Sequence, residues 1–427
     1  MSTKRTTIRD VSRSNRSRVL RELYFRGPSS RPRLTRDTGL SAATVATIVG
    51  ELCAEGIVLE AGLDEPEVGR PSAILKVNPA YGSFIGVDFG NTQMRVELFD
   101  LTLAKSAAVV VQLTPDQNEA ASLVEVIVRA VRQVQETAGV SDEDVLGIGI
   151  GVPGIVERSH EVSVHIASWK WQQAPLQAML AEHLTIPIFM DNGANAMAQA
   201  EMWFGAGRGY HNLAVLLLGT GVGAGLFADG SPYRGTTNAA GEWGHTTIER
   251  NGRLCRCGRR GCVEAHVGAK AIIDRLRESA PSSPLLRPDP TETIVALHEA
   301  ARTGDETATS VLTETAELLG EGIANLINLF NPELVVLGGW VGVRLGGDML
   351  PTIKRVVETE ALPAPGRTAR IALGQLQDDA VAMGAATLAL EVFLANAGPP
   401  RTSPNQTPAA ETAPMQRRHS TPRRTEQ

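Results

Sequence analysis

Near the N-terminus, apolar residues fall at helical spacing. In "NRSRVLRELYF" the positions Val19, Leu20, Leu23 and Tyr24 share one face, which predicts a first helix. "RPRLTRDTG" predicts a short second helix punctuated by Gly39. "LSAATVATIVGELCAEG" predicts a third, with Ser41 as N-cap, a buried stripe of Val45, Ile48, Val49 and Leu52, and a stop at Gly56. "IVLEAGLDEPEVGRPSAILKV" then reads as strand, loop, strand. From about residue 79 to 395, strands alternate with helices and Gly-rich corners follow several strands, an α/β pattern. Pattern and composition divide the chain into a basic flexible arm (1–14), a small helical block (15–78), the α/β body (79–395) and a Pro/Thr/Ser-rich tail (396–427) expected to be disordered.

Helix, short helix, turn, capped helix and wing make a winged helix-turn-helix. Its third helix would enter the major groove, presenting Ser41, Ala42, Ala43, Thr44 and Thr47, residues small enough for close approach. Charge sharpens this reading. The formal net charge is −6, yet residues 1–50 hold eleven Lys/Arg against three acids, a local +8 that leaves about −14 on the rest. A basic head on an acidic body suits double-stranded DNA. Arginines of the first helices, Arg33 among them, would meet phosphates, and Arg70 in the wing would enter a minor groove. The alternative is a protein-interaction domain with a solvated basic arm. No apolar run reaches membrane-span length and "MSTKRTTIRD" has no signal-peptide core, so a cytoplasmic protein without a membrane partner is expected.

Three of the four cysteines crowd into "CRCGRRGC". Together with His245, the thiols of Cys255, Cys257 and Cys262 form a four-ligand set of the kind that closes around structural zinc, leaving no open position for an activated water. Two further corners could cradle phosphate: Asp88, Gly90 and Thr92 in "VDFGNT", and Thr220 and Gly221 in "LGTGVGAG". Each is weak alone, and there is no P-loop motif. "MDNGANAMAQAE" predicts a strand ending at Ile188–Met190, a polar corner Asp191–Asn192–Gly193, and a helix from about Ala194, the form of an active-site lip.

The stretches "GVDFGNTQMRV", "GIGIGVPGIVE", "DNGANAMAQAE", "LLLGTGVGAGL", "GEWGHTTI" with "CRCGRRGCVE", and "VVLGGWVG" together resemble the ROK family of repressors, open reading frames and sugar kinases, over almost all of residues 83–390. The small block is similar to the winged head of the family's repressors. The resemblance implies a two-lobed actin/hexokinase-like (ribonuclease H-like) body and a homodimer or homotetramer. It also implies sugar contacts by Asn192, Glu242, His245 and Glu264, with His245 serving both metal and sugar. The kinases' general base falls on Gly193, which has no proton acceptor, and Asp191 should point elsewhere, so no catalytic residue is assigned. Trp340 and Asn91 stand where small residues are usual in the family's nucleotide corners, and Val164–His165 replaces a usual Pro-Asn. The expectation is a sugar-responsive transcriptional regulator, a repressor of carbohydrate uptake or metabolism genes, sensing a sugar or sugar phosphate in an inactive kinase cleft. The alternatives are an ATP-dependent sugar kinase of glucokinase or N-acetylhexosamine kinase type with a regulatory head, and an adaptor protein.

Overall fold

A computed structural model describes residues 7–64, 72–90, 92–114, 119–158, 162–166, 169–377 and 380–399. Arg70, Asn91, the first six residues of the basic arm and residues 400–427 of the tail lie outside the described residues.

Helix α1 (Ile8–Arg26) starts inside the expected flexible arm. Thr7 and Asp10 form a reciprocal capping box, so the orphan N–H groups of the first turn are satisfied well before Asn15. Then come β1 (Ser29–Ser30), α2 (Arg31–Thr38), α3 (Ala42–Ala54), β2 (Val58–Asp64) and β3 (Ser72–Val77), the strands ordered β1-β3-β2. Gly39 ends α2 in the left-handed region (φ 68°), and Ser41 caps α3 by accepting from the Thr44 N–H.

The body holds two sheets of the same design. The first runs β4 (Ser83–Phe89), β5 (Gln93–Asp100) and β6 (Lys105–Gln112). After α4 (Ala120–Ala138) come β7 (Val145–Val152) and a small sheet of β8 (Ile155–Arg158), β9 (Val162–Ile166) and β10 (Trp171–Ala174). Helix α5 (Leu176–Ala181), β11 (Ile188–Asn192) and α6 (Gly193–Phe204) follow. Its order is β6-β5-β4-β7-β11, antiparallel across the first three strands and parallel across the last three.

The second sheet comprises β12 (Leu213–Leu218), β13 (Val222–Ala228) and β14 (Ser231–Pro232). Helices α7 (Glu264–Val267), α8 (Ala269–Ser279), α9 (Pro290–Arg302) and α10 (Glu306–Phe330) precede β15 (Leu334–Gly338). Then come α11 (Gly339–Glu360), α12 (Pro363–Thr368), β16 (Arg370–Leu373) and α13 (Ala380–Asn396). The order β14-β13-β12-β15-β16, antiparallel then parallel, repeats the first. A duplicated meander-plus-parallel sheet is the two-lobed fold expected. Among the described residues no helix is long and apolar enough to cross a membrane.

Helices α6 and α13 pack together between the sheets, with α6 also lying on β12 and β13. Glycines permit this: a Cβ on Gly149 would lie 1.7 Å from the Ala385 carbonyl oxygen, and one on Gly384 would lie 2.0 Å from that of Ala196. The head is not a separate bead. Val19, Leu20 and Leu23 of α1 and the α3 stripe share one core with Phe84 and Phe99 of the first lobe and Phe393 and Leu394 of α13.

Candidate functional site

Strand β13 is the floor on which the site assembles. A Cβ on Gly223 would meet Ala194 Cβ at 3.2 Å and one on Gly225 the Ala194 carbonyl oxygen at 2.6 Å, so the first turn of α6 lies directly on this strand. On the same strand, Gly241 and Gly244 approach the Ala224 and Val222 carbonyl oxygens so closely that a Cβ on either would lie 1.9 Å away. The Asn192 corner and the Glu242–His245 turn therefore flank one strand, although some fifty residues separate them in sequence.

At the corner, Asn192 caps α6. Its Oδ1 accepts from the Ala194 N–H at 2.7 Å, and its Nδ2 donates to the Gly154 carbonyl at 2.8 Å. Gly193 opens the helix. Asp191 is fully buried and turned inward: Oδ1 accepts from the Asn192 N–H, Asn195 and Asn238 at 2.8, 3.1 and 3.1 Å, while Oδ2 pairs with Arg234 at 2.9 Å and Arg158 at 3.4 Å. A carboxylate with five partners has no lone pair aimed at a substrate hydroxyl. Val164 is core and His165 pairs with Glu157 at 3.1 Å.

His245, Cys255, Cys257 and Cys262 converge, every ligand atom within 4.8 Å of the others. Cys255 Sγ is 3.6 Å from His245 Nδ1, and Cys257 and Cys262 Sγ are 3.7 Å apart, too far for a disulfide. Metal–sulfur bonds of about 2.3 Å and metal–nitrogen bonds of about 2.0 Å in a tetrahedron have edges of this length, so the four donors fit a metal ion. Burial lowers the His245 pKa, which favours the neutral imidazole that ligation needs, and burial raises the Cys255 thiol, an effect a bound cation reverses. With Nδ1 toward the cysteines, Nε2 faces Glu242 at 3.9 Å. Glu242 is half-buried; burial raises its pKa, Glu264 adds to the rise and Arg256 opposes it.

Glu264 is buried and occupied on both oxygens. Arg256 forks onto it at 2.7 and 2.9 Å, and the Val222 N–H donates to Oε2 at 3.0 Å. Arg256 also lies against Gly221, 2.4 Å from where a Cβ would stand. Arg256, between Cys255 and Cys257, carries no motif signal of its own in the sequence. Thr220 and Gly221 thus adjoin Glu264, whereas Asp88, Gly90 and Thr92 sit at the β4–β5 turn of the other lobe, where the Gly90 N–H donates to the Gln93 carbonyl at 3.0 Å. Trp340 crowds Gly219, its Nε1 being 3.1 Å from a Cβ placed there.

On α3 the residues Ser41, Ala42, Ala43 and Thr47 are exposed, Thr44 is half-buried, and Ala46 and Gly50 extend the same small-residue face. Ala46 and Gly50 follow from Ala42, Ala43 and Thr47 at helical spacing, a signal the sequence carried. Arg33 is exposed beside Asp37 at 3.6 Å. Not every head arginine faces outward: Arg16 pairs with Glu51 and Glu55 and donates to the Ala397 carbonyl, and Arg21 is held over Phe25 and Trp203. These two arginines of α1 fasten the head to the body rather than standing free on its surface.

The sequence profile described as "ROK family" matches residues 84–392. The chain is 30% identical over 393 residues to the xylose repressor of Caldicellulosiruptor bescii, an alignment covering 89% of this chain and 96% of that one. Among solved structures, one described as a ROK family transcriptional regulator, homolog of the E. coli MLC protein, covers 90% of this chain and 97% of its own at TM-score 0.76 and 24% identity. A ROK family glucokinase from Streptomyces griseus, solved with glucose and AMPPNP, covers 73% of this chain and 100% of its own at TM-score 0.65 and 30% identity.

Proposed function

Because the chain belongs to the ROK family, we propose that it is a sugar-responsive DNA-binding transcriptional regulator, a repressor of carbohydrate uptake or metabolism genes. The observation that carries this reading is the head: a capped helix with a small-residue outer face, fused through one core to a two-lobed body. The repressor alignment spans 89% of the chain while the glucokinase structure spans 73%, which also favours the regulator. In this reading α3 lies in the major groove of operator DNA with Ala42, Ala43, Thr44 and Thr47 toward the bases, and Arg33 and Ser41 near phosphates. A sugar or sugar phosphate sits between Asn192, Glu242, His245 and Glu264. Since the Asn192 side chain already caps α6 and Arg256 covers Glu264, Glu242 and His245 offer the readiest hydroxyl partners.

Zinc, held by His245, Cys255, Cys257 and Cys262, would neutralise thiolates and fix the loop that presents Glu242 and the second nitrogen of His245. No catalytic residue is assigned: Gly193 supplies no base and Asp191 is turned away. The nucleotide-side residues Asp88, Gly90, Thr92, Thr220 and Gly221 are then a vestige. A homodimer or homotetramer would pair two heads on a palindromic operator in the cytoplasm.

A thermal-shift panel of aldoses, N-acetylhexosamines and sugar phosphates tests the sensor, because a ligand of the native state raises the melting temperature by mass action. Sustained ADP release from ATP with one of these sugars would instead establish the kinase reading, which the Thr220–Gly221 corner beside the Glu264 site keeps in play.

A further inference from the structure

We propose that α6 couples the sugar corner to the DNA-binding head, through a joint formed by Trp203 and Phe204 at its end and Tyr24 and Phe25 of α1. The proposal rests on the sensor reading above and adds the route by which a ligand reaches the head.

Helix α6 has twelve residues, about 18 Å of rigid backbone. Its first turn is the corner itself, capped by Asn192. Just before it, Asp191 ties the lobes together: it is bonded by Arg158 of the first lobe and by Arg234 and Asn238 from the loop after β14 of the second. Any change in lobe closure therefore acts on the strand end from which α6 springs. Along its length the helix is held to α13 by the close Ala196–Gly384 approach and by Gln199, which donates to Glu391 at 3.3 Å.

At its far end the contacts belong to the head. The Phe25 and Trp203 rings meet edge to face at 5.2 Å, and Tyr24 and Phe25 lie 6.4 and 6.3 Å from Phe204. The Arg21 guanidinium sits 5.5 Å above Phe25 and 5.8 Å from Trp203. Head helix α1 has a second attachment: the Ser17 hydroxyl donates to the Leu394 carbonyl at 2.7 Å and Arg16 to that of Ala397 at 3.1 Å. The head is thus pinned to α13 and steered by α6. Coupling needs an element with two arrangements. The joint has a reason to possess a second: Tyr24 Oη is buried and, among the described residues, has no hydrogen-bond partner. An unmade hydrogen bond disfavours the docked rings, and loosening the joint would let that hydroxyl reach water.

Hydrogen exchange on the full chain tests this, with the sugar that raises the melting temperature in a panel of D-xylose, D-glucose, N-acetyl-D-glucosamine and D-glucose 6-phosphate. In the wild type, that sugar should change exchange across residues 16–26 about 5-fold or more, a coupling of ordinary size. In Trp203→Ala the sugar should still raise the melting temperature, and the response at residues 16–26 should vanish. Tyr24→Phe keeps the ring and removes the orphan hydroxyl, so it should fold, favour the docked joint and shrink the response; it carries the test if Trp203→Ala does not fold. A wild type that binds sugar with no response in α1 overturns the coupling and leaves the sensor reading standing. So does a response that survives Trp203→Ala, or one unchanged in Tyr24→Phe. If no sugar raises the melting temperature, the sensor reading falls and takes the coupling with it.

Discussion

Gly193 is not a glycine for want of space. A Cβ there would meet Val381 Cγ1 at 3.5 Å and the Val152 carbonyl oxygen at 3.7 Å, ordinary contact distances. Gly193→Asp should therefore fold, with a melting temperature close to that of the wild type. It returns an acceptor where a general base contributes about 10²–10⁴ in rate. Coupled ADP assays should find wild-type turnover at least about 10²-fold below that of the variant; equal sustained turnover in both would show a base elsewhere.

Asp88 gives a pH signature. Burial pushes its carboxyl up to about 6, with Arg95 opposing. The native state thus prefers the protonated form. Asp88 contributes stability below its unfolded value near 4, and that contribution is lost as pH rises through about 6. Asp88→Asn, measured by urea unfolding, should gain about 3 kcal/mol at pH 8 and little at pH 4. An equal gain at both pH values would assign the effect to something other than this ionisation.

Among the elements, α3 was the most legible in the sequence, because caps and helical stripes are local signals: Ser41 caps it and Val45, Ile48, Val49 and Leu52 are buried as their spacing predicts. The start of α1 was less legible. Its polar first turns have no apolar period, and only the Thr7–Asp10 box marks the true beginning. The Cys-x-Cys-x4-Cys spacing made the convergence of His245 with the three cysteines readable, whereas Arg256 was invisible because its partner Glu264 reaches it only once the loop is folded.

Two outcomes follow at this scale. Thr47→Glu places a carboxylate on the exposed face of α3 without touching the core, and should abolish retardation of upstream DNA while leaving sugar-induced thermal stabilisation intact. Cys257→Ser should lower bound zinc, measured by elemental analysis, and depress the melting temperature, since binding free energy at such a site is folding free energy. Retained stoichiometric zinc in that variant would exclude Cys257 as a ligand.

Across the whole molecule the alternation of strands and helices made the α/β class legible and the family resemblance supplied the two lobes, but the union of head and body was not foreseeable. Ser17 and Leu394 are 377 residues apart, and no local pattern tells α1 that α13 will complete its core. The helix-turn-helix looked like an independent block because its internal periodicity is self-consistent. In the structure its inner face is finished by Phe84, Phe99 and Phe393. This shared core gives a sensor a way to speak to DNA without a flexible linker.

The most direct measurement is fluorescence anisotropy of a labelled duplex from the gene's own upstream region. It is titrated with the full-length protein at low salt, with and without the sugar that raises its melting temperature. DNA binding should weaken steeply with salt, and the sugar should change its affinity about 5-fold or more. Binding that ignores the sugar, or its absence at low salt alongside sustained sugar-dependent ADP release, would contradict the regulator reading.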